Sequence, residues 1–453
     1  MHNDLKLFNE LVEFLISEEK NQPVAIPVPA NELYDTLDLT LGDEPMVDPA
    51  LKKILKALIK STPKTASKAF FNQLFGGRIS KATLGDLLAV MLNNSMYTYK
   101  VAGAQVGIEK IIIQNICKRI GYGSNADGTL APGGSMSNYM AMLMARDAFD
   151  DTIRNEGVSK KLIAYTSDAS HYSVTKNASF AGIGRHQVRS VKTNAKGEML
   201  VEDLEQQIKE DLSKGYQPFF VNATAGTTVL GAFDDVNEIS KVCKAYGLWL
   251  HLDGAYCGSV IFSKQYKHLV KGVELTDSFS LNAHKMLGTP LGCSIIVTND
   301  RQQLYESFSN DAEYLYQTDD DAFNLGKTSL QCGRRNDALK LWTLWKSVGA
   351  SGLETIVDHQ FYLADVARNY IASHTDYTLY SFENSISVCF NYRGISAKTL
   401  CTKLYEHSKL MVGFGSFRDD TFVRLVTINT QIEEEDILMF FKTLENFVDS
   451  EDL

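Results

Sequence analysis

A chain of 453 residues, 44% hydrophobic and 22% charged, is long enough for two or three structural units and has the balance of an ordinary globular protein. Its formal charge of −10 argues against a general nucleic-acid binder, which draws its affinity from basic side chains set against phosphates. No apolar run approaches the ~20 residues of a membrane helix, and Met1-His2-Asn3-Asp4-Leu5-Lys6 lacks the basic-then-apolar layout of a signal peptide, so no membrane contact and a cytoplasmic location are expected.

Residues 4–20 carry apolar positions at helical spacing and predict an amphipathic helix. The stretch 22–49 reads as extended and turn-rich, and 51–60 again as helix. From about residue 65 to 320, strand and helix signals alternate. The strands are expected at Leu162–Thr166, Gln187–Val191, Pro218–Asn222, Leu248–Leu252, Ser278–Leu281 and Cys293–Val297, with helical patterns such as Val201–Ile208 and Asp235–Val242 between them. That alternation predicts an α/β fold with a mostly parallel sheet covered on both faces. Beyond about 350 the pattern becomes helix 351–373, strands around Val388–Tyr392, helix 396–408 and strand Thr421–Thr427, a small C-terminal α+β unit. The expected division is an N-terminal helical segment 1–64, a large domain 65–345 and a small domain 346–453. Seven scattered cysteines without a CxxC, and nine histidines without HxxxH or HExxH spacing, predict reduced thiols and no bound metal.

The chemistry-bearing motifs fall at the ends of the predicted strands. Ala131-Pro132-Gly133-Gly134-Ser135-Met136-Ser137-Asn138 precedes a helical run. It reads either as a phosphate cradle of free backbone N–H groups or as a plain loop with a serine cap. His171 follows the strand at 162–166, where an imidazole can stack on an aromatic ring or relay a proton; a lone histidine is as often structural. Ala223-Thr224-Ala225-Gly226-Thr227-Thr228 closes the next strand, and Thr228 offers a hydroxyl to a ligand or to the loop itself. Trp249-Leu250-His251-Leu252-Asp253-Gly254-Ala255 ends in a carboxylate, and Asp277–Lys285 ends in Asn282, His284 and Lys285. Ligands of open α/β sheets bind beyond the carboxyl ends of the strands. An acid and a lysine delivered there suit pyridoxal 5'-phosphate: the lysine as the Schiff-base partner, Asp253 as the partner of the pyridinium nitrogen. Gly134, Thr228, Ala255 and His284 are expected around the same cofactor.

These motifs resemble the pyridoxal-phosphate-dependent group II amino acid decarboxylases of the glutamate, cysteine sulfinate and aspartate type. The resemblance runs from Phe70-Phe71-Asn72-Gln73-Leu74-Phe75 through Pro132–Asn138, His171-Tyr172-Ser173, Gly226–Asp234, Asn282–Lys285 and Gln331–Arg335 to Phe422-Val423-Arg424-Leu425. It implies fold type I, aspartate-aminotransferase-like, with a seven-stranded sheet. It implies Lys285, Asp253 and His171 as catalytic, His171 stacked on the ring, and Ser135, Met136 and Asn282 holding the phosphate. It further implies Arg424 as the partner of the substrate α-carboxylate, Gln73 as a pocket residue, and a homodimer with active sites at its interface. Ala283 stands where the family commonly has Pro, Gly254 where it has Ala, and Lys100 where it has Glu. The loop 318–327 lacks the tyrosine that family members often use to protonate product, and 311–328 is expected to form a lid.

The resulting expectation is decarboxylation of an acidic L-amino acid to an amine and CO2. Asn93-Asn94-Ser95, with Ser95 as a substrate-side residue, favours cysteine sulfinate or aspartate over glutamate. An aromatic or basic amino acid decarboxylase, an aldehyde-forming enzyme, and an inactive homologue serving as a scaffold are the alternatives.

Overall fold

Apolar runs closed by polar residues become the strands of one sheet. In the computed structural model, which describes residues 2–20, 23–310, 316 and 320–451, these are β1 (Asp127–Ala131), β2 (Leu162–Ser167), β3 (Val188–Val191), β4 (Gln217–Thr224), β5 (Trp249–Gly254), β6 (Ser278–Asn282) and β7 (Ser294–Thr298). They lie in the order β1-β7-β6-β5-β4-β2-β3. The pairs β3–β2, β2–β4, β4–β5 and β5–β6 are parallel, and β7 runs antiparallel to both β6 and β1. The central strands are buried along nearly their whole length, as a sheet covered on both faces requires. Met140, Met144, Ala164, Phe219, Phe220 and Ile296 belong to one apolar cluster between the helix Gly134–Phe149 and the sheet.

The expected strands at 162–298 match the observed ones to within two residues at each end. β1 went unread, because Asp-Gly-Thr-Leu-Ala shows neither alternation nor a β-branched run. Its conformation comes from tertiary partners. It pairs with β7 through Leu130↔Ile295, and the buried Glu109 carboxylate accepts from Leu130 N and Thr129 Oγ1. Arg334, in the Gln331–Arg335 motif, closes the same corner by donating to Glu109 and, at 3.1 Å, to Thr129 Oγ1.

Contacts gather the chain into two units, Arg78–Phe361 and Met1–Gly77 with Tyr362–Leu453. The first holds the seven-stranded sheet. The second holds an antiparallel sheet of β8 (Tyr377–Leu379), β9 (Ser387–Tyr392), β10 (Gly413–Phe417) and β11 (Asp420–Val426), in the order β10-β11-β9-β8. The sequence set the N-terminal segment apart, whereas the contacts join it to the C-terminal residues. The reason is backbone pairing: Phe70 bridges Met411 in parallel, Phe71 N donates to Met411 O at 2.8 Å, and Met411 N donates to Ala69 O at 2.9 Å. Phe70 and Phe71 then enter the apolar core of that unit with Phe390, Phe440 and Phe441.

No helix among the described residues is long and apolar enough to cross a membrane, and no group of side chains among them is placed to hold a metal ion. All seven cysteines are free, six of them buried. Of the expected lid, residues 311–315 and 317–319 lie outside the described residues.

Candidate active site

Side chains alternate along a strand, so His251 and Asp253 share one face of β5. The parallel register sets them beside Ser278 and Ser280 of β6, as His251↔Ser278 and Asp253↔Ser280. The helix Gly134–Phe149 crosses this face, and its Asn138 amide donates to Asp253 Oδ2 at 2.6 Å and to Ser173 Oγ at 3.3 Å. The other carboxylate oxygen accepts from Ala255 N at 3.0 Å. Asp253 is thereby buried with both oxygens engaged.

β6 delivers Asn282, and the turn after it carries His284 and Lys285, with Lys285 N donating to Asn282 O at 3.1 Å. The Lys285 ammonium lies 5.8 Å from the centre of the Tyr256 ring. His171, in the turn after β2, feels both groups. Burial lowers its pKa, the Asp253 charge raises it and the Lys285 charge lowers it again. Its Nδ1 accepts from Ser173 N at 3.2 Å, so the ring proton resides on Nε2. His171, Asp253 and Lys285 thus form one electrostatic neighbourhood at the carboxyl edge of the sheet.

The start of the helix Gly134–Phe149 packs directly on the strand ends. A Cβ at Gly134 would stand 2.9 Å from both Ala255 Cβ and Asn282 Nδ2, so only glycine fits. Asn282 Oδ1 accepts from Ser294 Oγ, and Ser135 O accepts from Asn177 Nδ2 at 2.8 Å. Ser135 is exposed and Met136 half-buried. Gly226, at φ +89°, carries the chain from β4 against Cys257, where a Cβ would meet Sγ at 2.3 Å, and Thr228 follows in the next turn. His284 turns inward, its Nδ1 3.0 Å from Cys293 O.

These residues fit pyridoxal phosphate. Gly134 lets the helix start pack against the strand ends, a helix N-terminus offers backbone N–H groups to an anion, and an acid, a lysine and an imidazole stand at the same edge of the sheet. A separate cavity of about 710 Å3, lined by Phe149, Lys241, Lys244, Trp249 and Asp277 among others, opens at the opposite, amino edge of β5 and β6 and includes none of them.

Of the three expected substrate residues, Ser95 belongs to the unit of the seven-stranded sheet. The Ser95 hydroxyl lies against the 332–334 segment, 3.4 Å from Cys332 O and 3.5 Å from Arg334 N. Arg424 and Gln73 belong to the unit of the smaller sheet. Arg424 sits half-buried on β11 and donates from Nη2 to Asn72 O at 3.0 Å, while Gln73 is exposed. Sequence reasoning passed over Asn138 and His251. The signal was present: His251 stands two residues before Asp253 on the same strand face, and Asn138 one turn into the helix after the glycines.

Burial pushes the imidazoles of both His251 and His284 down to about 4, from an ordinary value of 6.5. A base with a depressed folded-state pKa takes up protons preferentially when unfolded. Its contribution to stability is therefore present above about pH 6.5 and lost as pH falls toward about 4. Urea unfolding is expected at a lower midpoint at pH 5 than at pH 7, and His251→Phe should flatten part of that slope. Equal midpoints at the two pH values would contradict the buried neutral state.

Residues 31–393 match the pyridoxal-dependent decarboxylase conserved domain. Acidic amino acid decarboxylase GADL1 of Mus musculus is 35% identical over 447 residues, covering 93% of this chain and 81% of that protein. Cysteine sulfinic acid decarboxylase of Homo sapiens is 35% identical over 438 residues, covering 91% and 89%. The crystal structure of mouse CSAD in apo form superposes with a TM-score of 0.93 at 34% identity, over 97% of each chain. The fold, the grouping of Lys285, Asp253 and His171, and the extent of these matches lead to one conclusion: the chain belongs to the pyridoxal-dependent decarboxylase family and is a carboxy-lyase that acts on an amino acid.

Proposed function

We propose that the protein decarboxylates an acidic L-amino acid, with cysteine sulfinate or aspartate preferred and glutamate next. The observation that carries this reading is 35% identity, across more than nine-tenths of the chain, to two enzymes named for acidic amino acids. Ser95, in Asn93-Asn94-Ser95, supports the shorter substrates. A single methylene of substrate length is worth only about 1–3 kcal/mol of discrimination, so selectivity between aspartate and glutamate is expected to be graded.

Bound pyridoxal phosphate supplies an electron sink for the pair left behind when the Cα–carboxylate bond breaks. In our reading, Lys285 is its covalent anchor and Asp253 faces the ring nitrogen. Gly134, Ser135, Met136 and Asn282 surround the phosphate, and Thr228, Ala255 and His284 complete the pocket wall. His171 stacks on the ring, and its Nε2–H is the proposed proton source for Cα, because loop 318–327 carries no tyrosine. Arg424 pairs with the substrate α-carboxylate, Gln73 and Ser95 contact the substrate, and the working form is a homodimer.

Release of CO2 should be compared across cysteine sulfinate, aspartate, glutamate and the aromatic amino acids. The highest kcat/KM is expected for cysteine sulfinate or aspartate, with the amine as product. An aromatic preference, or an aldehyde in place of the amine, would overturn the substrate assignment. Arg424→Lys should raise KM and lower kcat for every substrate, together by roughly tenfold or more, since lysine cannot reproduce a planar two-point pairing. If it changed only the preference between long and short side chains, Arg424 would belong to the distal part of the pocket.

A further inference from the structure

The hydrogen bonds behind Asp253 run in one direction. Asp253 Oδ2 accepts, so the Asn138 group 2.6 Å away is the amide nitrogen, and Asn138 Oδ1 points the other way. That oxygen can only accept, and it lies 3.2 Å from His251 Nε2 and 3.3 Å from Ser280 Oγ. The proton of His251 therefore sits on Nε2. Burial keeps this imidazole neutral at pH 7, so its Nδ1 is a bare acceptor facing Ser278 Oγ at 2.9 Å. The Ser278 hydroxyl donates to it, and in turn accepts from Trp249 Nε1 at 2.9 Å. Asn138, His251, Ser278 and Ser280 are all at most 3% exposed, and Phe220 lies beside the His251 ring with centroids 6.2 Å apart.

We propose that Asn138 and His251 are positioning residues for the carboxylate. The donor run Trp249–Ser278–His251–Asn138 ends on Asp253 Oδ2 and fixes the oxygen pair that faces the cofactor's ring nitrogen. This rests on the reading of Asp253 given above. The carboxylate holds its orientation because the amide it leans on cannot turn. Rotating Asn138 by half a turn would set its oxygen against Asp253 and its nitrogen against the His251 and Ser280 donors. The imidazole is what makes the wrong orientation costly, and a networked donor acts on the carboxylate through its neighbours. Both residues are buried behind the carboxylate.

The variants are Asn138→Leu, which keeps size and removes the donor, Asn138→Asp, which sets a second carboxylate against the first, and His251→Phe, which keeps the ring. His251→Gln is the rescue, since its terminal amide can donate to Asn138 from near the Nε2 position. Each holoenzyme is assayed for kcat and KM, for the position of the cofactor's visible absorbance band, and for the rate at which pyridoxal phosphate leaves on dilution. A melt of each cofactor-free protein reports folding. Asn138→Leu and His251→Phe are expected to lower kcat by roughly 10- to 100-fold, the worth of one hydrogen bond to a charged group, with KM little changed. The absorbance band should shift, cofactor loss should quicken, and Asn138→Asp should be the most severe. His251→Gln should recover most of the loss.

A cycle on the cofactor off-rate separates this proposal from the assignment beneath it. In an Asp253→Asn background, Asn138→Leu should add little, because both act through one carboxylate. Full additivity, or wild-type kcat and spectrum in Asn138→Leu, overturns the positioning role while leaving Asp253 in place. Near-normal turnover in Asp253→Asn alone overturns the assignment of Asp253. If a leucine or phenylalanine variant fails to fold, Asn138→Ala and His251→Asn serve the same arms. Losses in kcat that only follow the melt of the cofactor-free protein, with no rescue by glutamine, would mark Asn138 and His251 as packing residues.

Discussion

Lys285→Ala is expected to abolish turnover, with kcat falling by several orders of magnitude to about the level of free cofactor. The lysine follows β6 at the carboxyl edge of the sheet, and its charge is felt at His171, His284 and Cys257. Borohydride reduction of the wild-type holoenzyme should fix the cofactor to the peptide containing Lys285, and the alanine variant should lose cofactor on gel filtration. A reduced adduct on another lysine, or turnover well above background in the variant, would remove Lys285 from its role. The substitution should be mild for the fold, because the side chain is only half-buried.

Asp253→Asn should lower kcat by on the order of 10²- to 10³-fold or more, the usual cost of removing one preorganised electrostatic partner. An amide cannot stabilise a protonated ring nitrogen as a carboxylate does, so the electron sink is weakened at its source. The structure adds a second cost. Ala255 N and Asn138 Nδ2 both donate to Asp253, one to each oxygen, and asparagine offers a single acceptor there. Its own NH2 would face a donor. The variant should still fold, and a melting temperature within a few degrees of wild type together with a near-normal rate would reduce Asp253 to a packing role.

Local pattern carried much of this architecture. Strands such as Leu162–Ser167 and Ser278–Asn282 were legible because a buried strand is a short apolar run, and polar residues close it where the sheet meets its ligand edge. The same reasoning places Asp253, His171 and Lys285 at strand ends. Arg424 and Gln73 came instead from resemblance, since nothing in the periodicity of β11 or of residues 70–75 marks a side chain as a substrate partner.

Long-range pairing was beyond such reading. Phe70 bridges Met411 across more than three hundred residues, and it is this contact that draws the N-terminal segment into the smaller unit. β1 is a strand because Ile295 and Glu109 supply its partners, not because Asp-Gly-Thr-Leu-Ala prefers to be one. The residues of the chain thus carry the fold class and the acid–lysine pairing through spacing along a few elements, and the family through the resemblance of their motifs. Which amide stands behind Asp253, and which histidine orients that amide, depends on how the helix Gly134–Phe149 is laid across β5 and β6. That register is set by packing between elements distant in sequence, so only the tertiary structure decides it.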